Sequence, residues 1–210
     1  AQMVASRSYA LYLSAQGQSF TANSALCSGW TSSEVLQSRW GSDYAANMQR
    51  LQSLAARTGQ TVLLYNGQPA AACYHAISSG HTEASQNVWG GQLPYLCGVD
   101  SAWDKFADGY EVTIQYSAEQ VRTALEELGL TPDDFPESWV GASTWDKAGY
   151  VRTLELCGQM VSGLEVRKAL DLRSTCFAIA WRGGQFVITT RGYGHGVGLS
   201  QYGAKAMAEG

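Results

Sequence analysis

The sequence predicts an α+β fold, with hairpin-rich mixed sheets and packed helices in one compact domain with a long-loop cleft. Three observations lead there. Strand-like runs are joined by the tight turns Asn66-Gly67 and Gly183-Gly184, not by helical crossovers. Two helices open on capping boxes, Ser117 with Gln120 and Ser162 with Glu165. No internal repeat or low-complexity linker divides the 210 residues.

The elements follow in order. Residues 1–16 read as a helix of Ala, Ser and Tyr whose small side chains suit close packing on both faces. Residues 18–33 are polar and loop-like. Glu34 to Arg57 is a second helical stretch, stopped by Gly59. Thr61–Tyr65 and Gln68–His75 form a hairpin around a type I′ turn at Asn66-Gly67. Ile77–Lys105 is a long loop rich in Gly, Ser and Trp, and a loop of that length in a compact chain usually carries function. Tyr110–Tyr116 alternates apolar and polar residues as a strand, and the helix opened by Ser117 ends at Gly129. Residues 130–149, with Pro132, Pro136, Trp139 and Trp145, read as irregular. Val151–Cys157 is a strand, and the Ser162 helix ends near Leu170. Cys176–Trp181 and Gln185–Thr190 form a second hairpin.

Hydrophobic residues are 45% and charged residues 15%, the balance of a globular chain. A net charge of −4 with no Lys/Arg cluster argues against a nucleic-acid partner. No apolar run reaches the length of a membrane span. Five scattered cysteines are too few for a disulfide scaffold, and an odd count leaves one unpaired in a monomer. Cys73 and Cys176 sit in strand-like runs and read as small buried apolar residues. Bridges Cys157–Cys176 and Cys73–Cys97 both stay open as pairings. The chain starts Ala-Gln in a helix-like run, without an initiator Met or a signal peptide, and reads as an interior piece of a longer precursor.

The chemistry concentrates in two segments. Arg191-Gly192-Tyr193-Gly194-His195-Gly196-Val197-Gly198 alternates glycine with other residues and feeds a small-residue helix through Ser200 and Gln201. Phosphate-loop glycine patterns are absent. His75 ends a strand, and with His195 it is expected on the walls of one groove bordered by Ile77–Trp103 and Tyr193–Gln201. The bland alternative is a pair of hydrogen-bonded structural histidines. His81 reads as exposed, and His75-x5-His81 lacks the spacing of a zinc helix. The stretch Ser78 to Glu83, including Ser79, offers hydroxyls and a carboxylate to sugar hydroxyls and acetamido groups, with Trp89, Tyr95 and Trp103 as stacking platforms. A polar loop pinned by aromatics is the plainer reading. Gln2 and Arg7 lie on the first helix. An Arg among Ala and Ser needs a partner, either a substrate carboxylate or an interior ion pair.

These segments also carry a resemblance. Gly194-His195-Gly196-Val197-Gly198-Leu199-Ser200-Gln201-Tyr202-Gly203-Ala204 resembles the terminal signature of the stage II sporulation protein D family, which includes peptidoglycan lytic transglycosylases and amidase-enhancer proteins. Three further stretches are similar to that family in the same order. They are Ala1–Ala10, then Tyr74–Glu83 with Val88-Trp89-Gly90-Gly91 and Pro94-Tyr95-Leu96, then Leu164–Ser174. The resemblance implies a single domain over residues 1–210, truncated at both ends. It implies an extracytoplasmic protein, in the wall or anchored facing it, acting in sporulation or wall remodelling.

The activity implied is lytic transglycosylation. One glutamic acid would cleave glycan strands between N-acetylmuramic acid and N-acetylglucosamine, leaving a 1,6-anhydro product. The family's glutamate lies before the Ala-Gln helix, has no counterpart in this chain, and is not matched in position by Glu83. The alternative is a non-catalytic wall-binding protein that enhances an amidase. A metal-dependent hydrolase rests on the histidines alone. Gln2, Arg7, His75, Ser79, Glu83, His195, Ser200 and Gln201 are the expected substrate-binding residues, with glycan strands and other wall hydrolases as partners. No cofactor or metal is expected. Some members hold zinc through two His and two Cys near the first loop, where this chain has Cys27 and no His.

Overall fold

The computed structural model describes residues 1–18 and 31–210. The loop expected over 18–33, Cys27 included, lies mostly outside the described residues. The described chain forms two compact units, Ala1–Cys73 and Tyr74–Gly210. With seven α-helices and short antiparallel sheets described, the α+β expectation holds.

The first unit opens with helix α1 (Gln2–Ala15), whose buried residues are the small Ala5 and Ser8. The Ser8 hydroxyl accepts a hydrogen bond from the Leu63 N–H at 2.8 Å and donates to the Val4 carbonyl, so a small polar residue ties the helix to the following chain. The second helical stretch is broken. Helices α2 (Ser33–Trp40) and α3 (Tyr44–Thr58) flank a single 3-10 turn at Gly41–Asp43, and Gly59 caps α3 as expected. Strands β1 (Leu64–Tyr65) and β2 (Gln68–Pro69) make the Asn66-Gly67 hairpin, with both turn residues at positive φ. The hairpin is shorter than expected. Pro69 gives no ladder N–H, and Ala70 to Cys73 leave the sheet.

In the second unit, β3 (Tyr74–His75) belongs to another pairing. It runs parallel to β10 (Leu199–Ser200), 124 residues away. The connecting chain holds helix α4 (Ser85–Trp89) and a 3-10 turn at Ala102–Phe106. Strand β4 (Glu111–Tyr116) follows, then helix α5 (Ala118–Glu127) behind its Ser117–Gln120 capping box. Residues 140–145, expected to be irregular, form strand β5 (Val140–Trp145), which pairs with β6 (Val151–Leu156) across register shifts. The shifts, and a run of Gly141, Ala142 and Ser143, erase the period-2 signal. A further hairpin, unread in sequence, turns at Cys157-Gly158 into β7 (Gln159–Ser162), where Ser162 and Glu165 cap helix α6 (Gly163–Ala169). Strands β8 (Phe177–Arg182) and β9 (Gln185–Arg191) form the expected hairpin, and helix α7 (Gln201–Glu209) ends the chain.

Two three-stranded sheets, β4-β9-β8 and β5-β6-β7, carry this unit. Their inner faces meet helices α5 and α6 in one core, with Phe186, Ile188 and Val166 wholly buried and Trp139 stacked on Phe186 at 5.7 Å. The four described cysteines are free thiols, so neither open bridge is formed. Burial pushes the Cys73 and Cys176 thiols up to about 11, as small apolar residues. Phe186→Ala removes the ring on which Trp139 and Trp181 pack. It should cost about 3–5 kcal/mol of stability, read as a shift in urea midpoint without a change in slope.

Candidate functional site

The glycine-rich run and the start of the long loop lie against each other. The Ile77 and Tyr193 backbones exchange hydrogen bonds at 3.0 and 2.7 Å, and the Glu83 N–H donates to the Gly196 carbonyl at 2.7 Å. The glycines permit this approach. A β-carbon on Gly194, at φ +115°, would sit 2.8 Å from His75 Cβ. One on Gly196, at φ +78°, would sit 2.7 Å from the Tyr150 hydroxyl. The space that glycine frees is filled by the chain's own loop.

His75 and His195 come together, with ring centroids 5.8 Å apart, and Trp89 covers His195 at 5.0 Å. His75 is buried. Its Nδ1 donates to the Val197 carbonyl at 3.1 Å, which leaves Nε2 as an acceptor without a partner. His195 Nδ1 accepts from the Val197 N–H at 3.1 Å, and the ring also bonds the Tyr74 backbone. Burial lowers both rings. His195 falls to about 4, helped by the charges of His75 and Arg167, while the His75 shift is softened by its carbonyl bond and by Asp104. Both are neutral at physiological pH. The two histidines lie together, as the groove expectation has them, but not on open walls. His75 is 4% exposed, and the segments that were to border an open groove are bonded to each other.

Asp104 ties the loop to the run. Fully buried, it accepts from the Ser78 N–H at 2.9 Å, the Ser78 hydroxyl at 2.5 Å and the Ser200 hydroxyl at 2.6 Å. Ser200 in turn caps α7 through the Gly203 N–H. Gln201, beside it, is exposed at the first turn. Ser79 donates to the Ala148 carbonyl at 2.8 Å, and Tyr150 hydroxyl bonds its N–H at 3.1 Å. His81, expected exposed, is half-buried with Nδ1 2.7 Å from the Thr82 carbonyl.

Glu83 is buried and fully engaged. Oε1 accepts from the Ala84 N–H and from Asn87 Nδ2, both at 2.7 Å, and Oε2 lies 3.1 Å from Arg152 Nη2. Arg152 also reaches Asp146 at 2.9 Å. Burial, then the facing Asp146 carboxyl, push Glu83 up. Asp104, Asp146, Tyr150 and Arg152 were missed in sequence, because isolated Asp and Arg residues in polar loops read as solvated. Gln2 and Arg7 belong to the first unit. Gln2 bonds Ser6 at 3.1 Å, and Arg7 donates to the Thr61 carbonyl at 2.8 Å, an interior partner that is a carbonyl, not a carboxylate. Among the described residues, no group of three or more His, Cys, Asp or Glu is placed to hold a metal ion.

The chain is 36% identical over 181 residues to stage II sporulation protein D of Bacillus amyloliquefaciens, and 35% identical over 181 residues to that of Bacillus subtilis (strain 168). Each match covers 86% of this chain. The chain belongs to the stage II sporulation protein D family. It spans about half the length of those relatives, 51% in each case. It is also 26% identical to the amidase enhancer of Bacillus subtilis (strain 168), over 73% of this chain and 29% of that protein. No family model matches.

The expected lytic transglycosylase is corrected by these relatives. They are named as a sporulation protein and an amidase enhancer, and neither name denotes a transglycosylase. The chain's own motif carboxylate, Glu83, is a bonded joint between segments.

Two outcomes test the joint. Gly194→Ala forces a side chain into positive φ and against His75, and should lower stability by at least about 2 kcal/mol in chemical denaturation. The histidine pair sets an acid limit. Because His195 titrates near 4 folded and near 6.5 unfolded, its neutral burial contributes fully above pH 6.5. That contribution falls as pH drops toward 4, by roughly 3 kcal/mol at most. Glu83, raised, works in the opposite sense from pH 4.5 upward. Thermal melts of the wild type should therefore weaken from pH 7 to 4, and His195→Gln should flatten that slope.

Proposed function

We propose that this chain is a non-catalytic peptidoglycan-binding protein that enhances a cell-wall amidase, outside the cytoplasm, in sporulation or wall remodelling. One observation carries the reading most directly. The carboxyl and imidazole groups of His75, Glu83, Asp104 and His195 at the loop–glycine junction each serve an internal bond. Glu83 is held by Ala84, Asn87 and Arg152, Asp104 by two serines, and His195 is bonded on the Val197 and Tyr74 backbones. A general acid must be free to give its proton to a leaving group, whereas a joint that fixes two segments suits a rigid binding surface. The likeness to an amidase enhancer over 73% of the chain supports the same conclusion. The names of the nearer relatives support the sporulation setting.

The wall is then the ligand and an amidase the partner. Added to purified cell walls with a peptidoglycan amidase, the protein should raise the rate of stem-peptide release several-fold and saturably, measured as newly freed amino groups. Alone, it should release no anhydro-muramyl sugar by mass spectrometry. An unchanged amidase rate at saturating protein overturns the reading.

A further inference from the structure

The second unit has an opening apart from the bonded junction. A cleft of about 800 Å3 is lined by the Ser79 turn, Lys105, Tyr110, Trp145, the start of β8 and the end of β9. That size accommodates several linked residues. Two cations line it. Arg191 is ion-paired to Glu111 through Nε at 2.7 Å, and among the described residues its two terminal nitrogens make no further bond. Lys105 has no hydrogen bond or ion pair among the described residues, and the residue is exposed.

Lys105 is nevertheless held in place. It follows the clasped Asp104, and a β-carbon on Gly80 would lie 2.3 Å from its Cε, so the lysine stem rests on the glycine backbone. Opposite in character, Trp145 on the same lining is 56% exposed, and Phe177, also on the lining, is buried.

We propose that this cleft binds a short acidic peptide, with a carboxylate held by Lys105 and Arg191 and the peptide's apolar part against Trp145. A guanidinium with both terminal nitrogens open and a nearby ammonium are the donors that carboxylates take. Glu111 adds an acceptor for a peptide N–H or amine, and two cations against one carboxylate suit a ligand with more acids than amines. A neutral sugar would satisfy Trp145 alone and leave the Lys105 ammonium without a counter-charge. The choice of peptide rests on the wall-binding reading, in which the acidic stem peptides of peptidoglycan have this chemistry.

The test is direct titration of the whole chain, by tryptophan fluorescence and NMR, with a synthetic stem tetrapeptide, its fully amidated form and chitotetraose. The tetrapeptide should bind and move the Trp145 indole signal. Amidation, Lys105→Ala or Lys105→Glu should each weaken binding about tenfold or more. Arg191→Lys should weaken it while circular dichroism stays unchanged. No binding, equal binding of the amidated peptide, or a Lys105→Glu variant that binds as the wild type does overturns the proposal, as does chitotetraose alone moving Trp145. Amidase stimulation without peptide binding sinks this cleft and spares the wall-binding reading. Peptide binding without stimulation spares the cleft and sinks the amidase-enhancing reading.

Discussion

Asp104 sits at the crossing of three stretches that sequence keeps far apart. Its carboxyl accepts from Ser78 at the head of the long loop and from Ser200 at the head of α7, and it lies on the 3-10 turn that packs against α7. A buried carboxyl without donors would be costly by several kcal/mol, so the fold is obliged to bring hydroxyls to it. That obligation positions much else. It sets Ser200 to cap α7 and keeps Gly203 close, where any β-carbon would lie 2.5 Å from Ser101 Oγ. It also anchors the backbone from which Lys105 projects.

The histidine pair shows the same logic with the sign reversed. Two imidazoles 5.8 Å apart, beside Arg167, form a site where positive charge is penalised by burial and by neighbours. Asp104 softens that penalty for His75 only in part. The stable arrangement is two neutral rings, each using Nδ1 on the Val197 peptide, one to its carbonyl and one from its N–H. Val197 is thereby gripped on both sides. The parallel β3–β10 contact, only two residues long, gains from side chains what its short ladder lacks.

Local signals were legible where a residue's preference is decided within a few positions. Both capping boxes, the Asn66-Gly67 and Gly183-Gly184 turns and the Gly59 stop form as the sequence predicts. The losses are non-local. β5 carries small residues and register shifts, so no alternation marks it. β3 looks like the return strand of a hairpin, because nothing in Tyr74-His75 announces a partner beyond residue 190. At the site, the histidines and the serine-rich loop were visible as motifs. Asp104, Tyr150 and Arg152 were not, since each acquires meaning only from donors and acceptors brought to it by the fold.

The glycine run illustrates how a correct physical premise can lead to the wrong tenant. Glycine density means that something approaches the backbone closely. Here Gly194 meets His75, Gly196 meets Tyr150, and Gly192 would meet the Ile77 carbonyl at 2.8 Å. All three neighbours are protein. The run is a seam that closes the unit, and closing it engages Glu83, His75 and His195 in internal bonds. What remains open to solvent and ligand lies outward of the seam, where Gly80 leaves room for a lysine stem and Trp145 stands exposed. A tightly bonded interior and an open cleft bearing Lys105 and the Arg191–Glu111 pair are thus two consequences of one arrangement. The buried carboxyl and the seam tie the backbone together, and Lys105 and Trp145 are left exposed at its edge.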